Sequence, residues 1–395
     1  MRPAASERTA VAVIVALSAC HLLNDLLQSL LPALYPMLKT GFGLDYWQIG
    51  LITLTNSGTA SVLQPLVGMH TDRTPRPYSL AVGMTVMLFG ILVLAFAHRF
   101  ALLLAGAALI GVASSIFHPE SSRIARVASG GRHGFAQSLF QTGGNFGSSL
   151  GPLLAAFIVL PRGQSSVALF AVLAVVGIGL LYRVGSWYAA SGAAVPRPAR
   201  PTAVIDAARN PREVRRAVAV LLALVFSKYV YLASITSYFM FFLITKFGID
   251  SQQAQLHLFA FLGAVAAGTF VGGPVGDRFG RKYVIWGSIL GVLPFTLAMP
   301  YADLFWTTVL SVIIGVVLAS AFSAILVYAQ ELLPGRVGLV AGLFFGFAFG
   351  TAGLAAAALG VLADYAGIIT VYRVVAFMPA LGLLAWLLPP ERKRA

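Results

Sequence analysis

The chain has 395 residues, of which 58% are hydrophobic and only 10% are charged, and its formal net charge is +14. Soluble domains carry about 25% charged residues, so this composition excludes an ordinary soluble protein and predicts one that lies in lipid. The single cysteine, Cys20, excludes a disulfide within the chain.

Hydrophobic runs follow one another along the whole chain, and each is close to the length of about 20 residues that a helix needs to cross a bilayer. The predicted spans are residues 10–38, 46–69, 78–97, 101–125, 135–160, 166–188, 215–245, 253–275, 283–301, 304–332, 338–363 and 368–388. The first run is too long for a cleavable signal, so we expect it to remain in the mature protein. The predicted fold is an all-α membrane protein with 12 transmembrane helices.

Basic residues are distributed asymmetrically among the predicted connections. All but six of the 27 Lys and Arg residues lie at the two termini or in connections that follow even-numbered spans; the exceptions are Lys39, Arg99, Arg162, Lys228, Lys246 and Arg373. This is the positive-inside pattern, and it predicts a multi-pass protein of the bacterial inner (plasma) membrane with both termini in the cytoplasm. Topology thus accounts for the basic charge, and nucleic acid is not an expected partner.

The hydrophobic pattern is interrupted once, at residues 189–214, where four prolines alternate with arginines. We interpret this segment as a cytoplasmic linker between two six-helix bundles, residues 1–188 and 215–395. Two short motifs recur at nearly the same offset: Gly68-x-x-x-Asp72-Arg73 recurs 205 residues later as Gly273-x-x-x-Asp277-Arg278, and Gly131-Arg132 recurs 204 residues later as Gly335-Arg336. The repeat predicts two pseudo-symmetric halves with a site between them at the midplane.

The second copy of the first motif reads Gly273-Pro274-Val275-Gly276-Asp277-Arg278-Phe279-Gly280-Arg281-Lys282. It resembles the signature loop of the major facilitator superfamily, whereas the first copy departs from that loop after Arg73. Glycines allow close helix approach, and the charged residues can bond between helix ends. The candidate gating residues are Asp72, Arg73, Asp277, Arg278 and Arg281; the alternative is a basic loop that only sets topology.

Further motifs resemble one family of drug exporters within that superfamily, the bacterial fosmidomycin-resistance transporters. They are His21-Leu-Leu-Asn24-Asp25, Phe117-His118-Pro119-Glu120-Ser121-Ser122-Arg123, Gly143-Gly144-Asn145-Phe146-Gly147 and Tyr328-Ala-Gln330-Glu331-Leu-Leu-Pro334-Gly335-Arg336. The resemblance implies proton-driven efflux of a small phosphonate antibiotic by a monomer that uses the proton gradient and no cofactor.

Ionisable residues lie inside predicted spans. His21, Asn24, Asp25 and Gln28 share one face of the first helix, and a carboxylate at midspan costs about 2.5–3.5 kcal/mol on insertion scales, so it is expected to face a partner or a wet cavity. We interpret Asp25 as the carrier of the transported proton, with His21, Asn24 and Gln28 as substrate-binding residues.

Lys228 lies at the corresponding depth of the seventh helix, with Tyr231 and Tyr238 on roughly its face. We predict that Lys228 attracts an anionic substrate and that the two tyrosines bind it. Two alternatives stay open: a static ion pair between Asp25 and Lys228, or a carboxylate that bonds only to Asn24 and His21.

We predict a second polar cluster near the cytoplasmic end of the fourth helix, formed by His118, Glu120 and Arg123. Within it Glu120 and Arg123 can pair at i and i+3. Glu120 and, in the tenth helix, Glu331 are further candidate proton sites, and His118 and Arg123 are candidate substrate contacts; a salt-bridged helix end is the alternative. Gln137, Gln141 and Asn145 share one face of the fifth helix and either contact substrate or bond between helices.

No Walker loop, zinc-ligand spacing or nucleophile elbow is present in the sequence, so an enzyme is not expected. The predicted function is export of a small toxic compound by proton antiport with alternating access. The alternatives are a proton-coupled importer or symporter and a metabolite exporter on the same fold, and, outside transport of solutes, a lipid flippase or a membrane receptor.

Overall fold

The computed structural model describes residues 9–74, 76–130, 133–191, 210–279, 281–333 and 337–389, and every regular element in these ranges is a helix. Within some helices only the backbone is described. In the N-terminal half the main helices are α1 (Val11–Ala33), α2 (Tyr46–Arg73), α3 (Ser79–Ala95), α4 (Phe100–Ala128), α5 (His133–Leu154) and α6 (Ala171–Ala190).

The C-terminal half repeats this order. Its main helices are α7 (Pro211–Phe247), α8 (Ser251–Phe279), α9 (Arg281–Ile289), α10 (Leu304–Ala319), α11 (Val337–Ala366) and α12 (Ile368–Val375). Three of them continue after a break: α9 into Leu293–Ala298, α10 into Ala321–Leu332, and α12 into the 3-10 turn Met378–Leu387. Most of the predicted linker, residues 192–209, lies outside the described residues.

Each predicted span is occupied by helix, and the all-α fold class is confirmed. Among the described residues, nine helical runs are long and apolar enough to cross a membrane, which is consistent with the predicted twelve. The three predicted spans that are not among these nine runs correspond to α2, α3 and α8. Helix α3 has only 17 residues, and α2 carries polar side chains such as Thr53, Asn56 and Ser57 that line an internal cavity.

The start of α7 differs slightly from the prediction. The helix begins at Pro211 rather than at residue 215, because the side chain of Asn210 accepts a hydrogen bond from the backbone N–H of Arg212 at 3.0 Å. Proline at the first helical position fits this cap, since its missing N–H would have no helical partner there.

Large apolar side chains cover the outer surface of the bundle. Phe89, Phe157, Leu354 and Leu383 are each more than half exposed, on helices from both halves. Such a surface is incompatible with water as the only solvent. Together with the apolar runs, it shows a multi-pass membrane protein.

Glycines bring α5 and α1 into close contact. A Cβ atom added at Gly143 or Gly147 would collide with the backbone carbonyls of Ser18 or Leu22, and one added at Gly151 would collide with Ser29. Helices associate closely in membranes where small residues let their backbones approach. These glycines therefore hold α1, and the ionisable residues it carries, against α5.

The two halves meet chiefly along α2 with α11 and along α5 with α8. At the end of the bundle where α2 begins, Gly50 and Gly360 leave room for the opposite helix backbone. There the Asp364 carboxylate accepts hydrogen bonds from the N–H groups of Tyr46 and Trp47, at 2.9 and 2.8 Å. We call this contact the α2–α11 closure; it joins the halves at the end of the bundle away from the chain termini.

Candidate functional site

A cavity of about 310 Å³ lies between the two halves. Helices α1, α2, α4 and α5 contribute most of its polar wall, including Asp25, Gln28, Asn56, His118 and Asn145. The wall from α7, α8 and α11 is more apolar, with Leu258, Leu262, Val265 and Phe349 beside Tyr229, Thr236 and Ser237. A cavity of this size with a few convergent polar groups suits a small hydrophilic ligand.

Asp25 is the carboxylate in this wall. Its side chain is 16% exposed, and Oδ2 lies 3.2 Å from Nε2 of His21, one helical turn earlier. Oδ1 accepts a hydrogen bond from Asn24 at 2.9 Å and a longer one, at 3.5 Å, from Gln28. The prediction that residues at i, i+3, i+4 and i+7 share one face of the first helix is confirmed, and the four side chains form one connected polar group.

His21 is held in one orientation by α5. Its Nδ1 lies 2.8 Å from the backbone carbonyl oxygen of Phe140, and its ring stacks on the Phe140 ring with the centroids 4.0 Å apart. A carbonyl oxygen can only accept a hydrogen bond, so Nδ1 carries a hydrogen. Nε2 is therefore the nitrogen that gains or loses a proton, and it is the atom that faces Asp25.

This arrangement has a consequence for proton binding. With His21 neutral and Asp25 ionised, the lone pair of Nε2 faces a carboxylate oxygen at 3.2 Å, and two acceptors repel one another. One added proton, on Nε2 or on the carboxyl group, removes that repulsion. The His21–Asp25 pair is thus chemically suited to bind and release one proton at the edge of the cavity.

His118 joins this group from α4. Its ring lies edge-on to His21, with centroids 5.3 Å apart, and stacks on Phe349 of α11 at 5.8 Å. Ligand atoms of His21, Asp25 and His118 all lie within 4.8 Å of one another. The predicted cluster of His118 with Glu120 and Arg123 is therefore wrong: His118 faces the cavity, and the other two residues face away from it.

Glu120 and Arg123 form a separate ion pair. Arg123 Nη2 donates to Glu120 Oε2 at 2.6 Å and Nη1 donates to the Tyr188 hydroxyl at 3.0 Å, while Ser79 also donates to Oε2 at 3.1 Å. Glu120 is 1% exposed, so the pair connects α3, α4 and α6 inside the N-terminal half. The predicted i, i+3 pairing is confirmed.

Lys228 is buried in the C-terminal half and does not line the cavity. Its Nζ lies 3.5 Å from the carbonyl oxygen of Ala319 and 5.7–5.8 Å from the ring centroids of Phe322 and Tyr229. The alternative of a static ion pair with Asp25 is wrong, because the ionic contact of Asp25 among the described residues is His21.

Tyr231 and Tyr238 are also packed away from the cavity. The Tyr231 hydroxyl contacts the Met299 sulfur at 3.9 Å, and the Tyr238 hydroxyl donates to the carbonyl oxygen of Ala356 at 2.6 Å. The second bond joins α7 to α11 and lies beside Gly50 of α2. Tyr238 thus supports the α2–α11 closure.

Several cavity residues were not predicted from the sequence. The Tyr35 hydroxyl pairs with Thr53 at 2.7 Å, and Thr53 pairs with Ser237 of the other half at 3.3 Å; Asn56 and Ser57 lie nearby in the wall. The run of Thr53, Asn56 and Ser57 within a predicted span was the available signal, because polar side chains inside a membrane helix face the protein interior.

The remaining predicted residues lie outside this site or outside the described side chains. Gln141 is partly buried and does not line the cavity, whereas Gln28 and Asn145 do. The residues whose side chains are not described are Gln137, Glu331, Asp72, Arg73, Asp277, Arg278 and Arg281.

Known proteins resemble the chain over nearly its whole length. The Fosmidomycin resistance protein of Escherichia coli (strain K12) is 58% identical over 387 residues, which cover 98% of this chain and 95% of that protein. The Uncharacterized MFS-type transporter YfnC of Bacillus subtilis (strain 168) is 39% identical over 386 residues, or 98% of this chain and 94% of YfnC.

Two solved structures share the fold at 14% identity each. A bacterial homologue of the human lysosomal transporter Spinster, in an inward-facing and occupied conformation, superimposes with a TM-score of 0.72 over 96% of this chain and 94% of its own. The Escherichia coli fucose:proton symporter FucP superimposes with a TM-score of 0.68 over 97% of this chain and 100% of its own.

The family called Major Facilitator Superfamily matches residues 17–248 and 229–395. This match covers both halves of the chain. The two relatives found by sequence and the two solved structures cover both halves as well. The chain therefore belongs to the Major Facilitator Superfamily and is a membrane transporter rather than an enzyme.

Proposed function

We propose that this transporter exports fosmidomycin-like phosphonate antibiotics from the cytoplasm in exchange for protons. The observation that carries the proposal is the His21–Asp25 pair at the edge of a cavity between the two halves, 3.2 Å apart. The name of the 58% identical relative supports the choice of substrate. The protein is proposed to act as a monomer in the inner membrane, with both termini in the cytoplasm.

Asp25 carries the proton in this proposal, with His21 as its partner. A cavity-facing carboxyl group can exchange a proton with water, and its bonds to Asn24 and Gln28 hold it in place when the charge changes. Glu120 is less suited, because Arg123 and Ser79 already bond to its buried oxygen. Glu331 stays a candidate from the sequence.

The substrate binds in the same cavity. Gln28 and Asn145 supply amide donors, and His118 supplies a ring nitrogen beside Asp25. These groups can bind phosphonate oxygens as neutral or charge-assisted donors. Antiport follows if substrate in the cavity lowers the affinity of Asp25 for the proton, because a bound proton then lowers the affinity for substrate by the same factor.

Alternating access requires the α2–α11 closure to break and a second closure to form near the chain termini. The proposed latch at that second end is formed by residues at the ends of α2 and α8 and at the start of α9, namely Asp72, Arg73, Asp277, Arg278 and Arg281. One proton moving through 100 mV releases about 2.3 kcal/mol, which supports about 40-fold accumulation of a neutral substrate. No cofactor is needed for this cycle.

The test is substrate-dependent proton release from everted vesicles that contain the protein. Antiport predicts that fosmidomycin enters the vesicles while protons leave, and that vesicles without the protein show neither. A symporter would take up substrate together with protons, so substrate entry without proton release would overturn the antiport. If the protein is a metabolite exporter, another anion should cause proton release and fosmidomycin should not. That result would overturn the proposed identity of the substrate.

No contact among the described residues specifically supports the flippase or receptor alternative. A strain that lacks the gene should lose tolerance to the drug, and the wild-type gene should restore it. Unchanged tolerance in that strain would contradict export as the function.

A further inference from the structure

We propose that His21, Asp25 and His118 form a binding site for a divalent transition-metal ion such as Zn²⁺, and that bound metal blocks proton exchange at Asp25. The site itself is argued from geometry alone. The block of proton exchange rests on the proposed function.

The three side chains offer ligand atoms within 4.8 Å of one another. Two ligand atoms that share a tetrahedral zinc ion, each about 2.1 Å from it, lie about 3.4 Å apart; Nε2 of His21 and Oδ2 of Asp25 are 3.2 Å apart. Because no two ligand atoms are more than 4.8 Å apart, His118 has to approach by at most about 1.4 Å to complete the set. Two of the three ligands are thus already spaced for one ion.

Other groups already orient the two α1 ligands. The Phe140 carbonyl fixes Nδ1 of His21, and Asn24 donates to Oδ1 of Asp25. Metal-binding histidines almost always give their second nitrogen to such a partner, and metal-binding carboxylates are hydrogen-bonded in turn. The atoms left over, Nε2 and Oδ2, are the two that face each other.

Nε2 of His21 is also a buried atom without a hydrogen bond to any described residue, in a side chain that is 3% exposed. A buried polar atom without a partner is costly, and here its lone pair faces a carboxylate. A proton relieves that repulsion at one bond, whereas a metal ion bonds both atoms. The same geometry that suits one proton therefore also suits a divalent cation.

The ligand set selects the kind of metal. Imidazole nitrogens suit zinc and its transition-metal neighbours, whereas Mg²⁺ and Ca²⁺ prefer all-oxygen sites. Two histidines and one carboxylate leave coordination positions open, and Asp25 and His118 both line the cavity. No Lys or Arg is among the residues that line it, so no fixed cation in the described wall opposes entry of a metal ion.

The first experiment measures metal binding directly, on purified protein in detergent from which any polyhistidine tag has been removed. Zn²⁺ is titrated in competition with a coloured chelator, and the visible absorption of bound Co²⁺ reports nitrogen ligation. We expect one equivalent of Zn²⁺ to bind the wild type, and His21→Gln, Asp25→Asn and His118→Asn each to weaken binding at least tenfold. His98→Gln, which changes an exposed histidine, should leave binding unchanged.

Folding of each variant is checked by its elution volume and unfolding temperature. We expect His118→Asn to disturb the fold least, because His118 accepts no hydrogen bond from another helix among the described residues. Equal Zn²⁺ binding by the wild type and by folded His118→Asn would overturn the site. Loss of Zn²⁺ binding in the control His98→Gln would also overturn the site.

The second experiment adds Zn²⁺ to everted vesicles during substrate-dependent proton release. If Zn²⁺ inhibits proton release by the wild type and a chelator restores it, the proposed block is supported. Full proton release while Zn²⁺ saturates the site would overturn the block. If Zn²⁺ binds but fosmidomycin releases no protons, the metal site stands and the proposed function fails. If protons are released but Zn²⁺ does not bind, the function stands and the site fails.

Discussion

Asp364, near the end of α11, caps the first turn of α2 at Tyr46, 318 positions away in the chain. Its two carboxylate oxygens accept from the backbone N–H groups of Tyr46 and Trp47, where the helix dipole also favours a negative charge. Because the two helices belong to different halves, this cap exists only while the α2–α11 closure is formed. In the proposed alternating-access cycle, Asp364 is therefore expected to lose these two bonds when the closure opens.

Replacing Asp364 with Ala should open the closure more often. Loss of a helix cap costs about 0.5–2 kcal/mol, which shifts the equilibrium by about 2-fold to 30-fold. The measurement uses a chain that carries Cys20→Ser and, in the cavity wall, Thr236→Cys. An impermeant maleimide added outside the cell should label this cysteine faster by the same factor of about 2-fold to 30-fold.

The matched control is Asp303→Ala. Asp303 caps α10 through the N–H of Trp306 at 2.8 Å, but both residues lie in the C-terminal half, so its loss should not change the labelling rate. Equal rates in Asp364→Ala and Asp303→Ala would contradict a role for Asp364 in closure.

Alanine substitutions at two glycines should have opposite effects on stability. A Cβ at Gly147 collides with the Leu22 carbonyl, whereas a Cβ at Gly179 meets nothing within 4 Å. Overpacking costs about 1–3 kcal/mol, and Gly→Ala at an open helical position gains about 0.5–1 kcal/mol. The unfolding temperature in detergent should fall for Gly147→Ala and rise or stay constant for Gly179→Ala; the reverse order would contradict the close packing of α5 on α1.

The Glu120–Arg123 pair is expected to be structural. Removing one partner of a buried pair costs about 3–5 kcal/mol, so Arg123→Met should lower the unfolding temperature strongly. The double variant Glu120→Gln/Arg123→Met should recover much of that loss, since no buried charge is left unpaired. A folded double variant should still release protons on addition of substrate, and loss of that release would move proton coupling to Glu120.

Lys228 tests the role of a buried cation that does not reach the cavity. Lys228→Met keeps the length of the side chain and removes its charge. We expect the KM for fosmidomycin export to change by less than about threefold, because Lys228 is not among the residues that line the cavity and does not contact a substrate there. The measurement is export into everted vesicles at matched protein levels. A tenfold rise in KM would show that Lys228 attracts the substrate, as its depth in α7 suggests.

Much of the fold could be predicted because lipid imposes long apolar runs and places charge at their ends. The local side-chain pairs could also be predicted: His21 with Asp25 and Glu120 with Arg123 are one helical turn apart, and helix geometry alone brings them together. The glycines of α5 at positions 143, 147 and 151 are likewise about one helical turn apart and share one helix face.

Relations between helices could not be predicted from spacing. Lys228 lies at the depth of Asp25, but the rotation of α7 turns it toward Ala319 and Phe322, and packing decides that rotation. His118 and Glu120 are two positions apart, so they leave α4 on different faces, and only the neighbouring helices decide which face meets the cavity. The cap at Tyr46 depends on a contact between two distant parts of the chain.

The central claim is that Asp25 couples proton movement to substrate movement. It is tested most directly by measuring proton release and exchange of labelled fosmidomycin in the same everted vesicles. The proteins compared are the wild type, Asp25→Asn and the control Asp250→Asn, whose side chain caps α8 through the N–H of Gln253. The account predicts that Asp25→Asn loses proton release while it retains substrate exchange, and that Asp250→Asn keeps both. Proton release that persists in Asp25→Asn would contradict it.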